Sequence, residues 1–181
     1  MITDDLEQAH AAIAGGGVVL HATEGVWGLA CDPFCEAAVA RILTIKNRVA
    51  SKGLIVIGGD SRAFEPELAA LNPQQRRQVT ADWPGPVTWI LPGRRFPTWV
   101  RGDHDGIAVR VPGHPQARAL AALAGPLVST SANAAGAAPA VTQADAAARF
   151  AETVDLVLAG CVQNPGVASR LQTLTGEVLR P

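Results

Sequence analysis

The sequence predicts a layered α/β fold, because segments patterned as buried strands alternate with helical segments through most of its length. The 181 residues fit one domain, and no internal repeat or low-complexity segment divides them. Hydrophobic residues make up 48% and charged residues 17%, a balance typical of a globule with a normal core. We therefore expect a single domain over residues 1–181.

The first part of the chain is expected to form a helix, a strand, a loop and a second helix. Thr3 is the predicted N-cap of a helix whose apolar stripe stops at the glycines 15–17. VVLHA (18–22) has the pattern of a buried strand, and TEGVWGLACDP (23–33) after it is expected to be a loop. A convincing helical pattern over 36–45 then ends beside basic residues.

The alternation continues to the C-terminal end. Strands are predicted at 54–58, 87–91, 107–111, 126–132 and 154–160, and helices at 61–70, 73–81, 114–125 and 142–152. Thr142 is the expected cap of the last helix, and the tail should form two short strands around Thr175-Gly176. The Pro/Gly-rich segment 92–106 is the best candidate for an exposed excursion.

Bulk composition argues against several classes of protein. The net charge is −1, so general attraction to nucleic acid or membrane is not expected, and an anion site must be a local concentration of charge. The acidic start MITDDLEQAH is not typical of a signal peptide, and no apolar run is long enough to cross a bilayer. Three cysteines without a CxxC, and four histidines without ligand spacing, predict a reduced cytoplasmic protein with no structural metal.

Basic charge is concentrated in the segment KNRVASKGL. Among the 15 Lys and Arg residues only two are lysines, Lys46 and Lys52, and they flank Arg48. A mobile ammonium beside a planar guanidinium is suited to holding phosphate oxygens. Cations at the C-terminal end of a helix also suit the helix dipole, so an ordinary solvated helix end is the alternative.

Three other segments place polar residues within or directly after a predicted strand, where ligands bind in open α/β sheets. HATEGVWGL carries Thr23 and Glu24, with a capped turn as the alternative. IAVRV holds Arg110 in an apolar strand, which predicts either an ion pair within the chain or a fork for a ligand carboxylate. VSTSAN is dense in donors, and Ser129 and Ser131 could face one cavity, although turn formation is the alternative.

Common catalytic motifs are missing from the sequence. There is no GxxxxGK[ST], so a P-loop is excluded, and there is no GxGxxG. Without a GxSxG elbow a hydrolase triad has little support. WPGPVT (83–88) reads as a rigid turn that leads into a strand.

Taken in order, HATEGVWGLACDP, KNRVASKGLIVI, WPGPVT, IAVRVPGHP and PLVSTSAN resemble the threonylcarbamoyl-AMP synthase family (YrdC/TsaC-like). The likeness extends from near residue 5 to the TGEVLR tail, and at this length the chain is similar to the short, single-domain branch. The resemblance implies a twisted mixed β-sheet flanked by helices, with a concave basic cleft.

The resemblance also implies roles for single residues. Thr23, Arg110 and Ser129 match positions that contact threonine, and Arg110 would take its carboxylate. Lys46 and Arg48 are the residues that it implies as catalytic. The positions that match nucleotide contacts are Lys46, Arg48, Lys52, Ser131 and Asn133. No residue is implied as a metal ligand.

Members of the family combine L-threonine, bicarbonate and ATP into threonylcarbamoyl-adenylate, which serves the N6-threonylcarbamoyl modification of adenosine 37 in tRNA. The resemblance therefore implies ATP as a substrate, with Mg²⁺ bound to the nucleotide. It also implies tRNA or double-stranded RNA, and proteins of the same pathway, as further partners. A non-catalytic RNA-binding module is the alternative, although the near-zero net charge disfavours it. A carbamoyl-transferring relative is disfavoured by length.

The sequence departs from the family pattern at three places. Ala22 and Val49 stand where proline is usual, which changes loop stiffness more than chemistry. Ala168-Ser169-Arg170 stands near a segment that usually reads Ser-Thr-Ile. Nucleotide contacts from that C-terminal segment are therefore left open.

Overall fold

A computed structural model describes residues 1–181, and it confirms the predicted mixed sheet flanked by helices. The strands are β1 Ile2–Thr3, β2 Val19–Ala22, β3 Trp27–Cys31, β4 Ile55–Ile57, β5 Val87–Pro92, β6 Gly106–Arg110, β7 Leu127–Ser131, β8 Leu156–Leu158, β9 Arg170–Thr173 and β10 Val178–Arg180. The helices are α1 Leu6–Ala14, α2 Glu36–Lys46, α3 Glu65–Leu68, α4 Pro73–Ala81, α5 Thr98–Arg101, α6 Pro115–Ala124 and α7 Gln143–Phe150.

All ten strands form one sheet in the order β1-β8-β2-β3-β7-β4-β6-β5-β9-β10. The sheet is mixed, with parallel pairs such as β4 with β6 and antiparallel pairs such as β3 with β7. The register sets Gly28 opposite both His21 and Ser131, and it sets Ile57 opposite Arg110. Segments that are far apart in the sequence therefore become neighbours in the middle of the sheet.

The two faces of the sheet are covered unequally. One face packs into a core of 29 buried residues with α2, α3, α4 and α7. The other face packs against α1 and α6 in a smaller core of 10 buried residues. Since α1 and α6 lie over β2, β4, β7 and β8, the part of this face formed by β5, β6 and β9 is left as the floor of a hollow.

Three expectations about local structure were wrong. Thr3 does not cap α1, because it pairs with Leu158 in β1, and the Asp5 side chain accepts from the Glu7 and Gln8 amides instead. The segment after β2 is a tight turn followed by the fully buried strand β3 (Trp27–Cys31), not a loop. The segment 92–106 is only partly an excursion, since it contains α5 and buries apolar side chains.

The glycine in β3 explains why that strand was missed. Trp27 and Leu29 point into the large core, while Gly28 and Ala30 face the other side of the sheet. Glycine usually weakens a strand, but here it leaves space where side chains of neighbouring strands approach.

Candidate functional site

A cavity of about 660 Å³ opens on the half of the sheet that α1 and α6 leave uncovered. Its floor is apolar and comes from Ile90, Ala108 and Leu171 on the three neighbouring strands β5, β6 and β9. This volume lies in the range of small-molecule sites, roughly 300–1,000 Å³. The structure places all of the predicted site residues in its wall, namely Thr23, Lys46, Arg48, Lys52, Arg110, Ser129, Ser131 and Asn133.

Lys46 is the last residue of α2, and its ammonium is turned inward onto the end of β7. Nζ donates to the Ser131 carbonyl and to both the carbonyl and the side-chain oxygen of Asn133, at 3.0 and 3.2 Å for the latter two. The residue is only 5% exposed, and burial, with Arg48 as a second cause, lowers the pKa of Lys46 to about 8. Lys46 therefore holds the Ser131–Asn133 loop in place.

Asn133 and Ser131 are tied to each other as well. The Ser131 hydroxyl donates to Asn133 Oδ1 at 2.5 Å, and Asn133 Nδ2 donates to the Ala137 carbonyl at 2.8 Å. Because Asn133 Oδ1 accepts from both Lys46 and Ser131, the amide orientation is fixed. The loop after β7 is thus a rigid polar wall of the cavity.

Arg48 follows α2 and turns its guanidinium into the cavity. Nη2 donates to the Gly53 carbonyl at 2.9 Å, while the buried Nε has no hydrogen-bond partner. Burial lowers the pKa of Arg48, which remains a cation. Lys52 lies nearby and is exposed. The buried Nε therefore leaves one hydrogen-bonding position of Arg48 unsatisfied beside the cavity.

Arg180 and Ser169 also line the cavity; the sequence did not single out Arg180, and it left nucleotide contacts from the segment around Ser169 open. Arg180 Nε donates to the Ser169 carbonyl at 2.8 Å, and its Nη2 donates to the Ser169 hydroxyl at 2.9 Å. The pKa of Arg180 is lowered by burial first and by the charge of Arg48 second. The only sequence signal for Arg180 as a site residue was its place in the TGEVLR tail.

Five cations of the cavity lining share one property. None of them forms an ion pair, although Arg110 in the same lining pairs with Glu24 and seven further ion pairs lie outside the cavity. These five are Lys46, Arg48, Lys52, Arg101 and Arg180. Several arginines outside the cavity, such as Arg62 and Arg76, do have carboxylate partners. Unneutralised, partly buried positive charge in a chain of net charge −1 marks a place for an anion.

Arg110 projects from β6 at another part of the wall and is paired with Glu24. Its Nη2 donates to Glu24 Oε2 at 2.9 Å, and Glu24 Oε1 accepts from the Gly113 amide at 2.5 Å. The ion pair that the sequence left open is therefore present. The guanidinium is still part of the cavity lining, and its buried Nε has no partner.

Thr23 and Ser129 complete this corner. The Thr23 hydroxyl donates to the Val26 carbonyl at 2.7 Å, so only its acceptor capacity remains for a ligand. Ser129 lies on β7, and its hydroxyl meets His21 Nε2 at 3.0 Å. The corner thus combines a cation, an acceptor and a fixed hydroxyl group.

The segment 160–169 runs along the rim of the cavity above Gly25. The amides of Gln163 and Asn164 donate to the Glu24 carbonyl, and the Gly166 amide donates to Gly25, at 2.7–2.9 Å. Val167, at the end of these contacts, is exposed and lines the cavity. Arg101 and His104 from the segment 92–106 also line the cavity, and neither was predicted.

The structure contains no group of three or more His, Cys, Asp or Glu side chains that could hold a metal ion. Glu24, the acidic residue of the threonine-binding corner predicted here, is already bound to Arg110 and Gly113. None of the helices is long and apolar enough to cross a membrane.

Comparisons with known proteins give one consistent answer. The model of the Sua5/YciO/YrdC family, described as "Telomere recombination", matches residues 11–181. The chain is 46% identical over 182 residues to a threonylcarbamoyl-AMP synthase of Chromohalobacter salexigens, covering 98% of this chain and 97% of that protein. It is 49% identical over 162 residues to a protein of the same name from Xanthomonas euvesicatoria, covering 87% of each.

Among solved structures, P. abyssi Sua5 complexed with L-threonine superimposes with a TM-score of 0.88 at 31% identity. The superposition covers 97% of this chain but 53% of the P. abyssi chain, so this chain spans about half of that protein's length. E. coli YciO, at 23% identity and a TM-score of 0.82, shows the same fold.

Proposed function

Because the chain belongs to the Sua5/YciO/YrdC family, we infer that it is an enzyme that makes threonylcarbamoyl-adenylate from L-threonine, bicarbonate and ATP and releases pyrophosphate. The product would serve the N6-threonylcarbamoyl modification of adenosine 37 in tRNA. The names of its full-length relatives support this role over a non-catalytic RNA-binding module. By reaction type the enzyme is a nucleotidyltransferase, since an adenylyl group moves from ATP to an oxygen of the carbamate formed on threonine.

One observation carries the proposal: five cations of the cavity lining lack carboxylate partners. A triphosphate brings about four negative charges, and charge-assisted hydrogen bonds to phosphate are roughly twice as strong as neutral ones. Arg48, Lys52 and Arg180 all line the cavity and can present positive charge to the phosphates. The apolar floor beside them suits the flat base of the nucleotide.

Lys46 has a different part in this proposal from the one that its sequence position suggested. Its ammonium already donates to Ser131 and Asn133. We propose that Lys46 first fixes this loop, and that the same charge then faces the phosphates when the nucleotide enters. Preorganised charge of this kind stabilises a transition state because no reorganisation is needed during the reaction.

The corner of Thr23, Arg110 and Ser129 is proposed to hold threonine. The Thr23 hydroxyl can only accept, so it suits an N–H of the amino group rather than the carboxylate. Arg110 is the cation of this corner, and Glu24 holds one edge of its guanidinium. The part of the Arg110 guanidinium that Glu24 does not occupy is proposed to receive the threonine carboxylate.

The chemistry needs positioning and charge stabilisation more than a covalent intermediate. The threonine nitrogen bonds to the bicarbonate carbon with loss of water, which gives a carbamate. A carbamate oxygen then attacks the α-phosphorus of ATP, and the bond to pyrophosphate breaks. Both steps gather negative charge in one hollow, where fixed cations and hydroxyl donors lower the barrier.

Mg²⁺ is proposed to arrive as part of the substrate Mg·ATP. The donor set of the cavity fits this, because its cations can face phosphate while no cluster of carboxylates competes for the ion. Mg²⁺ keeps several waters and binds phosphate oxygens in such sites. The residues that would lie nearest the phosphates are Arg48, Lys52 and Arg180.

We also propose that residues 1–181 act as one cytoplasmic domain, with tRNA-modifying proteins as the partners that take up the product. The absence of a helix able to span a membrane is consistent with this location. The conserved fold over 97–98% of the chain supports a single functional unit.

The proposal is tested by measuring pyrophosphate release with each of several amino acids, with and without bicarbonate. We expect release to require ATP, threonine and bicarbonate together. Release of pyrophosphate that does not depend on threonine would contradict threonine as the substrate. Only the assignment of the fold would then remain supported. Salt-sensitive RNA binding without any release of pyrophosphate would favour the RNA-binding module instead.

A further inference from the structure

A hydrogen bond crosses one whole strand of the sheet beneath the cavity. His21 lies on β2 and Ser129 on β7, and β3 runs between these two strands. Even so, His21 Nε2 and Ser129 Oγ are 3.0 Å apart. His21 is completely buried, whereas Ser129 is 8% exposed and lines the cavity wall. The bond therefore joins the interior of the sheet to the predicted threonine corner.

Gly28 of β3 makes this contact possible. It stands opposite His21 in the register, and its side of the strand faces the imidazole. A Cβ at this position would lie 3.1 Å from His21 Nε2 and 3.4 Å from Ser129 Oγ. The missing side chain leaves the passage through which the two groups meet.

The imidazole in this position is neutral at physiological pH. Burial, and then the neighbouring His114 and Arg110, lowers the pKa of His21 to about 4. His114 accepts the Ala117 amide at Nδ1 and meets the Cys161 carbonyl at Nε2, and Arg110 is paired with Glu24. The charged and titratable groups around His21 thus already have partners.

A neutral imidazole nitrogen occupies one hydrogen-bonding position of the Ser129 hydroxyl, as its donor or as its acceptor. In either case the hydroxyl can no longer rotate freely about its Cβ–Oγ bond. The remaining hydrogen-bonding position of Ser129 Oγ is then left for a ligand, because Ser129 lines the cavity. Fixing the group in advance avoids an entropic loss when a ligand binds.

We propose that His21 is a positioning residue for threonine, acting through Ser129 across Gly28. The inference rests on the proposed function, since it concerns the amino-acid corner of the same cavity. His21 does not line the cavity and so does not touch substrate. Its effect should therefore fall on threonine and not on ATP, which the cationic wall holds.

The test is a double-mutant cycle with kinetic readout. We expect His21→Phe to raise the KM for threonine by about 5- to 10-fold, the effect of one hydrogen bond to a substrate-contacting group, with the KM for ATP changed less than 2-fold. In a Ser129→Ala background, the same His21→Phe change should have no further effect on the threonine KM. His21→Gln, which keeps a polar nitrogen near the position of Nε2, should restore much of the affinity.

Equal effects of His21→Phe with and without Ser129 would overturn the proposal, because His21 would then act only through general stability. A rise in the KM for ATP as large as the rise in the KM for threonine would also overturn the proposal. If His21→Phe does not fold, the cycle is run with the smaller apolar variant His21→Leu and with Ser129→Ala, and additive effects would again contradict coupling. Pyrophosphate release by the unaltered enzyme tests the proposed function separately, so the two failures are distinguishable.

Discussion

At the scale of single residues, burial decides the chemistry of Lys46. Its pKa is lowered to about 8 from an ordinary 10.5, chiefly by burial and then by the charge of Arg48. At a pH between about 8 and 10.5, Lys46 is protonated in the unfolded chain and deprotonated in the folded chain. The free energy of unfolding contributed by Lys46 therefore rises with pH across this window.

The same shift predicts a proton linkage on nucleotide binding. Phosphate near Lys46 favours the ammonium, so ATP binding at a pH near 8 should take up protons, and the affinity should fall as the pH rises to 9. Calorimetry in buffers of different ionisation enthalpy measures this uptake. Lys46→Arg, whose guanidinium stays charged, should abolish it. Proton uptake that is unchanged in Lys46→Arg would show that another group is responsible.

Arg48 is the residue whose removal should affect catalysis most cleanly. Its side chain donates only to carbonyls of its own loop, so Arg48→Ala should leave the fold intact. Loss of a cation from a desolvated site raises the barrier by about 2–4 kcal/mol, which lowers kcat/KM by roughly 30- to 1,000-fold. Steady-state pyrophosphate release measures this.

Arg94→Ala is the matched control for Arg48→Ala. Arg94 is 74% exposed and pairs with Asp105 at 2.5 Å, away from the cavity. Its replacement should change kcat/KM by less than about 2-fold, as expected of an exposed ion pair. Similar losses of kcat/KM in Arg48→Ala and Arg94→Ala would contradict a phosphate-binding role for Arg48.

The residues brought to the cavity were predictable where they follow a recognisable strand or helix. Arg180 was not, because a lone arginine in a short terminal strand looks like any exposed cation until Ser169 is seen beside it. Glu24 was singled out in the sequence, but its pairing with Arg110, 86 residues away, depends on the register of β6. Long-range pairing of this kind is a property of the sheet.

At the scale of elements, most helices and strands could be predicted from their periodicity, and β3 could not. Two glycines near Trp27 suggested a loop, yet Gly28 is a strand residue whose bare Cα leaves space for His21 and Ser129. The cap of α1 was misplaced by two residues for a similar reason: pairing of Thr3 with β8 outweighs its local preference.

Gly25 controls the rim segment 160–169. A Cβ on Gly25 would lie 1.7 Å from the Val167 carbonyl, so Gly25→Ala must displace the backbone of one of the two segments. We expect faster hydrogen exchange at the Gln163, Asn164 and Gly166 amides, which donate to residues 24 and 25. The KM for both substrates should rise, because Val167 to Ser169 line the cavity.

Gly15→Ala serves as the control for this glycine substitution. Gly15 has a φ of −76°, and the nearest atoms to an added Cβ are 3.4 Å away, which is ordinary contact. Stability and exchange at the rim should therefore be unchanged. Unaltered exchange at the three rim amides in Gly25→Ala would show that this packing does not hold the segment.

At the scale of the whole molecule, the uneven covering of the sheet creates the site. Helices α1 and α6 cover one half of a face, and the other half becomes the floor of a cavity of about 660 Å³. Ten strands then bring a cationic wall and a threonine corner onto this one hollow. A net charge of −1 conceals this local excess of positive charge, which only the fold reveals.

A crystal structure of the complex with threonine and a non-hydrolysable ATP analogue tests the account most directly. We predict that the phosphates lie within hydrogen-bond distance of Arg48, Lys52 and Arg180, with the α-phosphorus facing the amino-acid corner. Threonine should lie between Thr23, Arg110 and Ser129. A triphosphate bound away from the unpaired cations, or threonine bound outside this cavity, would contradict it.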